Sequence, residues 1–307
     1  MSNFNKTSVF VLTIKNSRRE YLIKKRLNTL GINYKIFYAI DGRNQDNFKI
    51  LYKRYDRKKC LKTLGRDMTY PEISNAEGHL RIYRYILNHN ISNAVIMEDD
   101  CYPSKILCEW LKINFFTSKK KFDIIQIYHS FGLVYKKPFT LILDKFFIYK
   151  ACFTLSYTTC YQITKEACKY IINKNKKVSR LVDWPINFHE NKIKQYVVLP
   201  YIVSLRSDHI SSSYQKNLWM YQDKLGKIKK IIPFYNILTA FYFLSHIPFL
   251  LRICKNYSYY KEKFLMKKIF YIKNMFSNNY INLEYTIKKK NFYPSDLRRN
   301  ARKSLFF

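Results

Sequence analysis

The stretch SVFVLTIKNSRREYLIKKRLNTLGINYKIFYAIDG, residues 8–42, decides how the chain begins to fold. SVFVLTI (8–14) is apolar and β-branched, the composition of a buried first strand. In the segment that follows, Asn16 or Ser17 can cap a helix. Leu22, Ile23, Arg26, Leu27 and Leu30 then keep helical spacing until Gly31 closes it. NYKIFYAIDG (33–42) reads as a second strand ending at Asp41-Gly42. Strand, helix and strand in such close succession form a βαβ opening, which favours a parallel sheet.

Outward from that unit, residues 43–71 are polar and basic and predict a mobile loop with a short helix. Pro71-Glu72 opens a helical stretch, PEISNAEGHLRIYRYILNHN, with Leu80, Ile82, Tyr85 and Ile86 as its apolar face. AVIM (94–97) and KFDIIQIY (121–128) predict a third and a fourth strand. TTCYQITKEACKYIINKN (158–175) predicts a strand passing into a helix, and QYVVLPYIVSL (195–205) another strand. After about residue 215 the chain changes character: residues 211–307 hold 19 basic and 4 acidic residues. Within them IIPFYNILTAFYFLSHIPFLL (231–251) carries no charge and is long enough to span a bilayer. Pro233, Asn236, His246 and Pro248 argue instead for a helix lying in a membrane interface or packed on the rest of the protein. KEKFLMKKIFYIKNMF (261–276) alternates basic and apolar residues as an anionic-surface helix does. The expected division is a catalytic domain over 1–215 and a basic, aromatic helical extension over 216–307 that associates with a membrane surface.

Composition narrows the partners. Of 307 residues 48% are hydrophobic, enough for a real core, and 56 lysines and arginines against 21 acids give a formal net charge of +35. That excess points to polyanionic company: nucleic acid, anionic lipid headgroups or phosphorylated small molecules. A general inflation of Lys, Ile, Asn, Tyr and Phe is the competing explanation. The seven cysteines form no CxxC pair and fit neither a zinc site nor a disulfide framework, as expected of reduced thiols in the cytoplasm. MSNFNKTSVFVLTIKN lacks the basic and apolar regions of a signal peptide. With six glycines and no GxGxxG or GxxxxGK[ST], the chain argues against a dinucleotide-binding Rossmann enzyme or a P-loop nucleotidase. GxSxG and HExxH patterns do not occur either.

In VIMEDDCYPS (95–104) a buried-looking strand ends in Glu98, Asp99 and Asp100. One reading is a solvated acidic turn. The other is a cation site, because ligands bind at the C-terminal ends of strands in such sheets and Mg²⁺ or Mn²⁺ can bridge carboxylates to a diphosphate. In a strand-to-loop turn Glu98 and Asp100 would project to one side and Asp99 to the other.

Four stretches together resemble glycosyltransferase family 25, the bacterial lipooligosaccharide galactosyltransferase family. VFVLTIKNSRREYLIKKRLNTLGINYKIFYAIDG is similar to the family's opening strand, Arg-containing helix and AxDG strand end. PEISNAEGH resembles its gE-x-GC-x-x-SH element at Glu72, Ala76 and His79, with Ser74, Asn75 and Gly78 in place of the usual glycine, cysteine and serine. AVIMEDDCYPS resembles the a-x-I-x-EDD element, and TTCYQITKEACKYI with LVDWPI the later segment and its downstream Asp. The resemblance runs over residues 8 to 212 in the family's order and does not extend beyond about 215.

The resemblance implies a GT-A-like α/β domain, with a Rossmann-type mixed sheet flanked by helices. It also implies a UDP-sugar donor, Mn²⁺ or Mg²⁺, and inversion at the anomeric carbon. Asp100 and Glu98 are the expected metal or donor contacts, with His209 as a further metal ligand. Asp183 is the expected catalytic base and Glu72 the second candidate; a helix cap at Asp183 and a helix N-terminal acid at Glu72 are the competing readings. His79 would bind donor or orient a carboxylate, unless it is only a satisfied core histidine. Arg18 and Arg19 would pair with phosphate or lie on a solvated helix face. Asp41 would contact the uridine or its ribose, or simply make its turn. The expected acceptor is a lipid-linked saccharide at the inner face of the bacterial cytoplasmic membrane, whose anionic surface suits the basic extension. The competing class is a basic nucleic-acid-binding protein or metal-dependent nuclease, motivated by charge and 18% aromatics. No nucleic-acid recognition module is visible to support it.

Overall fold

The computed structural model describes residues 7–64, 66–113, 122–129, 133–135, 138–142, 146–152, 155, 158–182, 185–186, 188, 193–199, 201–206 and 280–282. Its first unit is β1 (Ser8–Thr13), α1 (Arg18–Thr29) and β2 (Lys35–Tyr38), with β1 and β2 parallel as the opening pattern predicts. Ser17 is the N-cap, its hydroxyl accepting from the Glu20 N–H, and Gly31 follows the helix at φ 64°, a backbone conformation in which a Cβ is penalised.

Period two along β1 divides the core. Phe10 and Leu12 enter one hydrophobic cluster and Val9 and Val11 the other. β3 (Asn93–Glu98) pairs parallel with β1 and divides in the same way, Ala94 and Ile96 to the first cluster, Val95 and Met97 to the second. The first face is covered by α4 (Tyr70–Asn88) and α6 (Lys165–Lys174), the second by α1 and α5 (Ile106–Leu111). This is a mixed α/β fold with helices on both faces of the sheet.

The rest of the large sheet is mixed. β9 (Cys160–Thr164) lies antiparallel between β3 and β5 (Ile124–Gln126); β10 (Gln195–Leu199) pairs parallel with β5; and β8 (Phe146–Lys150) with β7 (Thr140–Ile142) completes it. The strand order is β2-β1-β3-β9-β5-β10-β8-β7. A second, two-stranded sheet joins β4 (Cys101–Pro103) to β11 (Val203–Leu205). A third joins β6 (Leu133–Tyr135) to β12 (Tyr280–Asn282), so three residues of the basic extension pair with the body of the protein.

Several expectations need correction. Residues 43–71 are not a loop with one short helix. They hold a 3-10 turn (Gln45–Asn47), α2 (Phe48–Lys53) and α3 (Arg57–Leu64). Leu51, Tyr55, Cys60 and Leu64 bury against α4 within an otherwise basic run. KFDIIQIY supplies only the three residues of β5. QYVVLPYIVSL is two strands, β10 and β11, in different sheets. The 215 boundary, the apolar run 231–251 and the basic run 261–276 lie outside the described residues. Among those described, no helix is long and apolar enough to cross a membrane, and six cysteines are free thiols.

The start of α4 is fixed by a capping box. The Thr69 hydroxyl accepts from the Glu72 N–H, the Glu72 carboxylate accepts from the Thr69 N–H at 2.8 Å, and Pro71 sits in the first turn. Thr69→Ala is expected to cost about 1 kcal/mol in chemical denaturation.

His129, beyond β5, is fully buried against Tyr201 and donates from Nε2 to the Val198 carbonyl. Burial pushes its pKa down from 6.5 to about 4. A lowered native pKa makes this contribution to stability complete above the unfolded value, and it is lost as pH falls from 6.5 towards 4. Between neutral pH and about pH 5 the wild type should lose roughly 2 kcal/mol more stability than His129→Phe. Equal losses in urea unfolding at the two pH values would remove His129 as the cause.

Candidate active site

The acidic triplet sits where β3 ends beside the C-terminal end of β1, with Leu12 in register with Glu98. Glu98 and Asp99 diverge to opposite faces of the sheet, as strand alternation requires. Glu98 points to the α4 face. Its Oε1 accepts from Asn75 Nδ2 at 3.3 Å, from His79 Nε2 at 3.2 Å and from the Thr158 hydroxyl. No described residue hydrogen-bonds Oε2, and the side chain keeps 19% exposure. Burial pushes the Glu98 pKa up, but the His79 hydrogen bond and charge, with Thr158 and Asn75, outweigh it and hold the carboxyl below its ordinary value. Glu98 is therefore an anion with one oxygen clamped and the other open.

The clamp has depth. His79 is 1% exposed, and its Nδ1 lies 2.7 Å from the Tyr161 hydroxyl, which lies 2.6 Å from that of Tyr83. Burial raises the pKa of both tyrosines, so they stay phenols, each able to give or take a hydrogen bond along the chain to His79. His79 is thus a buried histidine whose one nitrogen orients a carboxylate.

Asp99 turns to the α1 face. It accepts from the Thr13 hydroxyl at 2.7 Å and lies 3.6 Å from Arg19 Nη1. Burial raises its pKa, against the opposing pull of Thr13 and Arg19. Asp100 is 8% exposed; burial, then the charges of Glu98 and Asp99, push its pKa well up. Its carbonyl accepts from the Arg206 N–H at 3.0 Å, which ties the turn to β11.

Asp41 is held by Arg43, Nε to Oδ1 at 2.8 Å and Nη2 to Oδ2 at 2.7 Å. That bidentate pair holds the Asp41 carboxyl below its ordinary pKa, while Arg43 also feels the charge of Asp99. Gly42 brings this loop against the start of α4. A Cβ there would meet the Tyr70 carbonyl oxygen at 2.5 Å and the Pro71 nitrogen at 2.6 Å.

The structure thus brings together Glu98, His79, Asp99 and Arg19, with Asp41 and Arg43 beside them. Arg18, the first residue of α1, is exposed. Glu72 lies elsewhere in its bonding: besides the capping box it pairs with Arg66 at 2.6 and 2.8 Å. Asp183 and His209 lie outside the described residues. Val182 and Pro185, which flank Asp183, line a cavity together with Ala76, His79 and Tyr83. Sequence reasoning missed Asn75, Thr158, Tyr161 and Arg43. Asn75 carried a signal, since it stands where the resembled element has cysteine. Of the other two departures, the Ser74 hydroxyl donates to the Ile40 carbonyl, and Gly78 lets α4 close onto Leu12.

Among the described residues no group of three or more His, Cys, Asp and Glu side chains is gathered to hold a metal ion. Mg²⁺ and Mn²⁺ in phosphate-transfer sites need only one or two carboxylates, because the substrate phosphates complete the shell. The open Glu98 oxygen and the buried Asp100 fit that mode in donor chemistry, but not an all-protein cage.

Comparison with known proteins adds one match. A family model described as glycosyltransferase family 25 (LPS biosynthesis protein) matches residues 6–186, which include β1, α4, the acidic triplet and β9. No curated protein matches the sequence.

Proposed function

The chain belongs to glycosyltransferase family 25, and on that footing we propose that it is a metal-dependent, inverting hexosyltransferase with a GT-A-like catalytic domain. It moves a sugar, galactose by preference, from a UDP-sugar to a saccharide acceptor of lipooligosaccharide or lipopolysaccharide. The acceptor is lipid-linked and is met at the inner face of the cytoplasmic membrane. The observation that carries this reading is Glu98: an anion at a strand's C-terminal end, with Oε1 clamped by Asn75, His79 and Thr158 and Oε2 open.

In this reading Glu98 and Asp100 would hold Mn²⁺ or Mg²⁺, which would supply positive charge opposite the leaving diphosphate. The residues themselves do the rest. His79, fixed by Tyr161 and Tyr83, keeps Glu98 ionised and aimed. Arg19, already close to Asp99, offers a guanidinium to the donor phosphates, and Asp41 with Arg43 forms the wall towards the nucleoside. A carboxylate base, Asp183, takes the proton from the acceptor hydroxyl as its oxygen attacks the anomeric carbon from the face opposite the UDP oxygen. One bond forms as the other breaks, so configuration inverts. Glu72, engaged by Thr69 and Arg66, is the weaker candidate for the base.

Release of UDP from a panel of UDP-sugars, with Mn²⁺ and with a chelator, tests the reading. Turnover of one donor that the chelator stops is the expected result. Neither binding nor turnover of any nucleotide sugar would sink it.

A further inference from the structure

Residues 48–64, which form α2 and α3, carry seven lysines and arginines and one acid. That acid, Asp56, accepts from the Lys59 N–H at 3.0 Å and so serves as a helix cap. Arg54 pairs with Glu77, Arg57 with Asp67, and Lys59 Nζ donates to the Lys174 carbonyl. Lys49, Lys53, Lys58 and Lys62 are exposed and have no ion-pair partner among the described residues. Set among them are three large apolar side chains in water: Ile50 at 47% exposure, Tyr52 at 53% and Leu61 at 39%.

The helices are not loosely attached. Leu51, Tyr55, Cys60 and Leu64 bury in the cluster under α4. Backbone bonds join Asp56 N–H to the Val178 carbonyl at 2.7 Å and Val178 N–H to the Arg54 carbonyl at 2.9 Å. The pair is therefore two-faced: one side is seated in the core, and the other presents ammonium groups interleaved with exposed apolar side chains.

We propose that this outer face of α2 and α3 docks on an anionic lipid bilayer. Lysines gain from the negative surface potential, while Ile, Leu and Tyr gain from entering the boundary between headgroups and chains. A nucleic acid would use the lysines but would gain little from aliphatic Ile50 and Leu61. The location suits docking. Asn47, just before α2, donates from Nδ2 to the Asp41 carbonyl at 3.0 Å, and Phe48 stacks on Tyr70 at 3.8 Å. The surface thus adjoins the Asp41 loop and the start of α4, beside the candidate site. That docking would present a lipid-borne acceptor rests on the transferase reading; docking itself does not.

The test is flotation of the full chain with vesicles of phosphatidylcholine, alone and mixed with phosphatidylglycerol. Wild type should bind the mixed vesicles selectively. The quadruple variant K49E/K53E/K58E/K62E should partition on the order of 100-fold more weakly. The triple variant I50S/Y52S/L61S should partition at least ~10-fold more weakly. Both should keep the wild-type circular dichroism and melting temperature, since none of the seven side chains is buried. No selective binding by wild type, or unchanged partition in either variant, overturns the proposal. A loss confined to the quadruple variant, with a parallel loss of affinity for a short DNA duplex, assigns the lysines to nucleic acid and overturns it too. Vesicle binding that behaves as expected while no UDP-sugar is turned over refutes the transferase reading and leaves docking standing.

Discussion

Glu98→Gln is expected to lower sugar transfer by about 10²- to 10³-fold, the usual scale for removing one preorganised charge from such a site. The fold should be unharmed. The amide oxygen can take the place of Oε1 and still accept from Asn75, His79 and Thr158, while the negative charge at Oε2 is lost. Because the folded site holds the Glu98 carboxyl below its ordinary pKa, the charge is net stabilised there, so the melting temperature should stay level or fall slightly. His79→Leu provides the contrast. It leaves the Glu98 charge but takes away one donor to it and the Tyr161 contact, so it should cost about 1–3 kcal/mol in stability as well as activity. Full activity in a well-folded Glu98→Gln protein would take Glu98 out of the chemistry and with it the observation on which the functional reading stands.

Gly42→Ala is expected to be costly for a single added methyl, at about 3 kcal/mol or more. The added Cβ would stand 2.5 Å from the Tyr70 carbonyl oxygen and 2.6 Å from the Pro71 nitrogen, and both are backbone. No rotamer change relieves that contact. The Asp41 loop would have to leave the first turn of α4, so loss of stability should come with weaker donor binding. Gly78→Ala should be milder. Its Cβ would meet Leu12 Cδ1 at 2.7 Å and Cδ2 at 2.8 Å, which a side chain can partly yield, and alanine returns up to ~1 kcal/mol of helix propensity. Urea unfolding of the two variants side by side measures the difference, and equal costs would contradict it.

Much of the fold was legible because it is local. β1, α1, α4 and the β9–α6 passage each carry their own periodicity and caps, and Ser17 and Gly31 act where the pattern places them. α2 and α3 were hidden because seven basic residues outweigh the four side chains that decide their burial. The break of QYVVLPYIVSL into two sheets was hidden because both halves are apolar and buried, so composition is the same on either side of the break.

That a buried strand ends in three carboxylates beside a βαβ unit, and that a helix with His79 precedes it, follows from the order of residues alone. Hydrophobic period and chain order are local properties, and they suffice for that. Which acid does what depends on how the strands and helices pack. Glu98 faces α4 and Asp99 faces α1 because successive residues at a strand end leave on opposite sides of the sheet. The donors that clamp Glu98 come from Asn75, 23 residues before it, and from Thr158, 60 residues after it. Asn75 meets it because α4 packs over that face of the sheet, and Thr158 because β9 inserts antiparallel beside β3. Both are associations between segments far apart in sequence that no local pattern encodes.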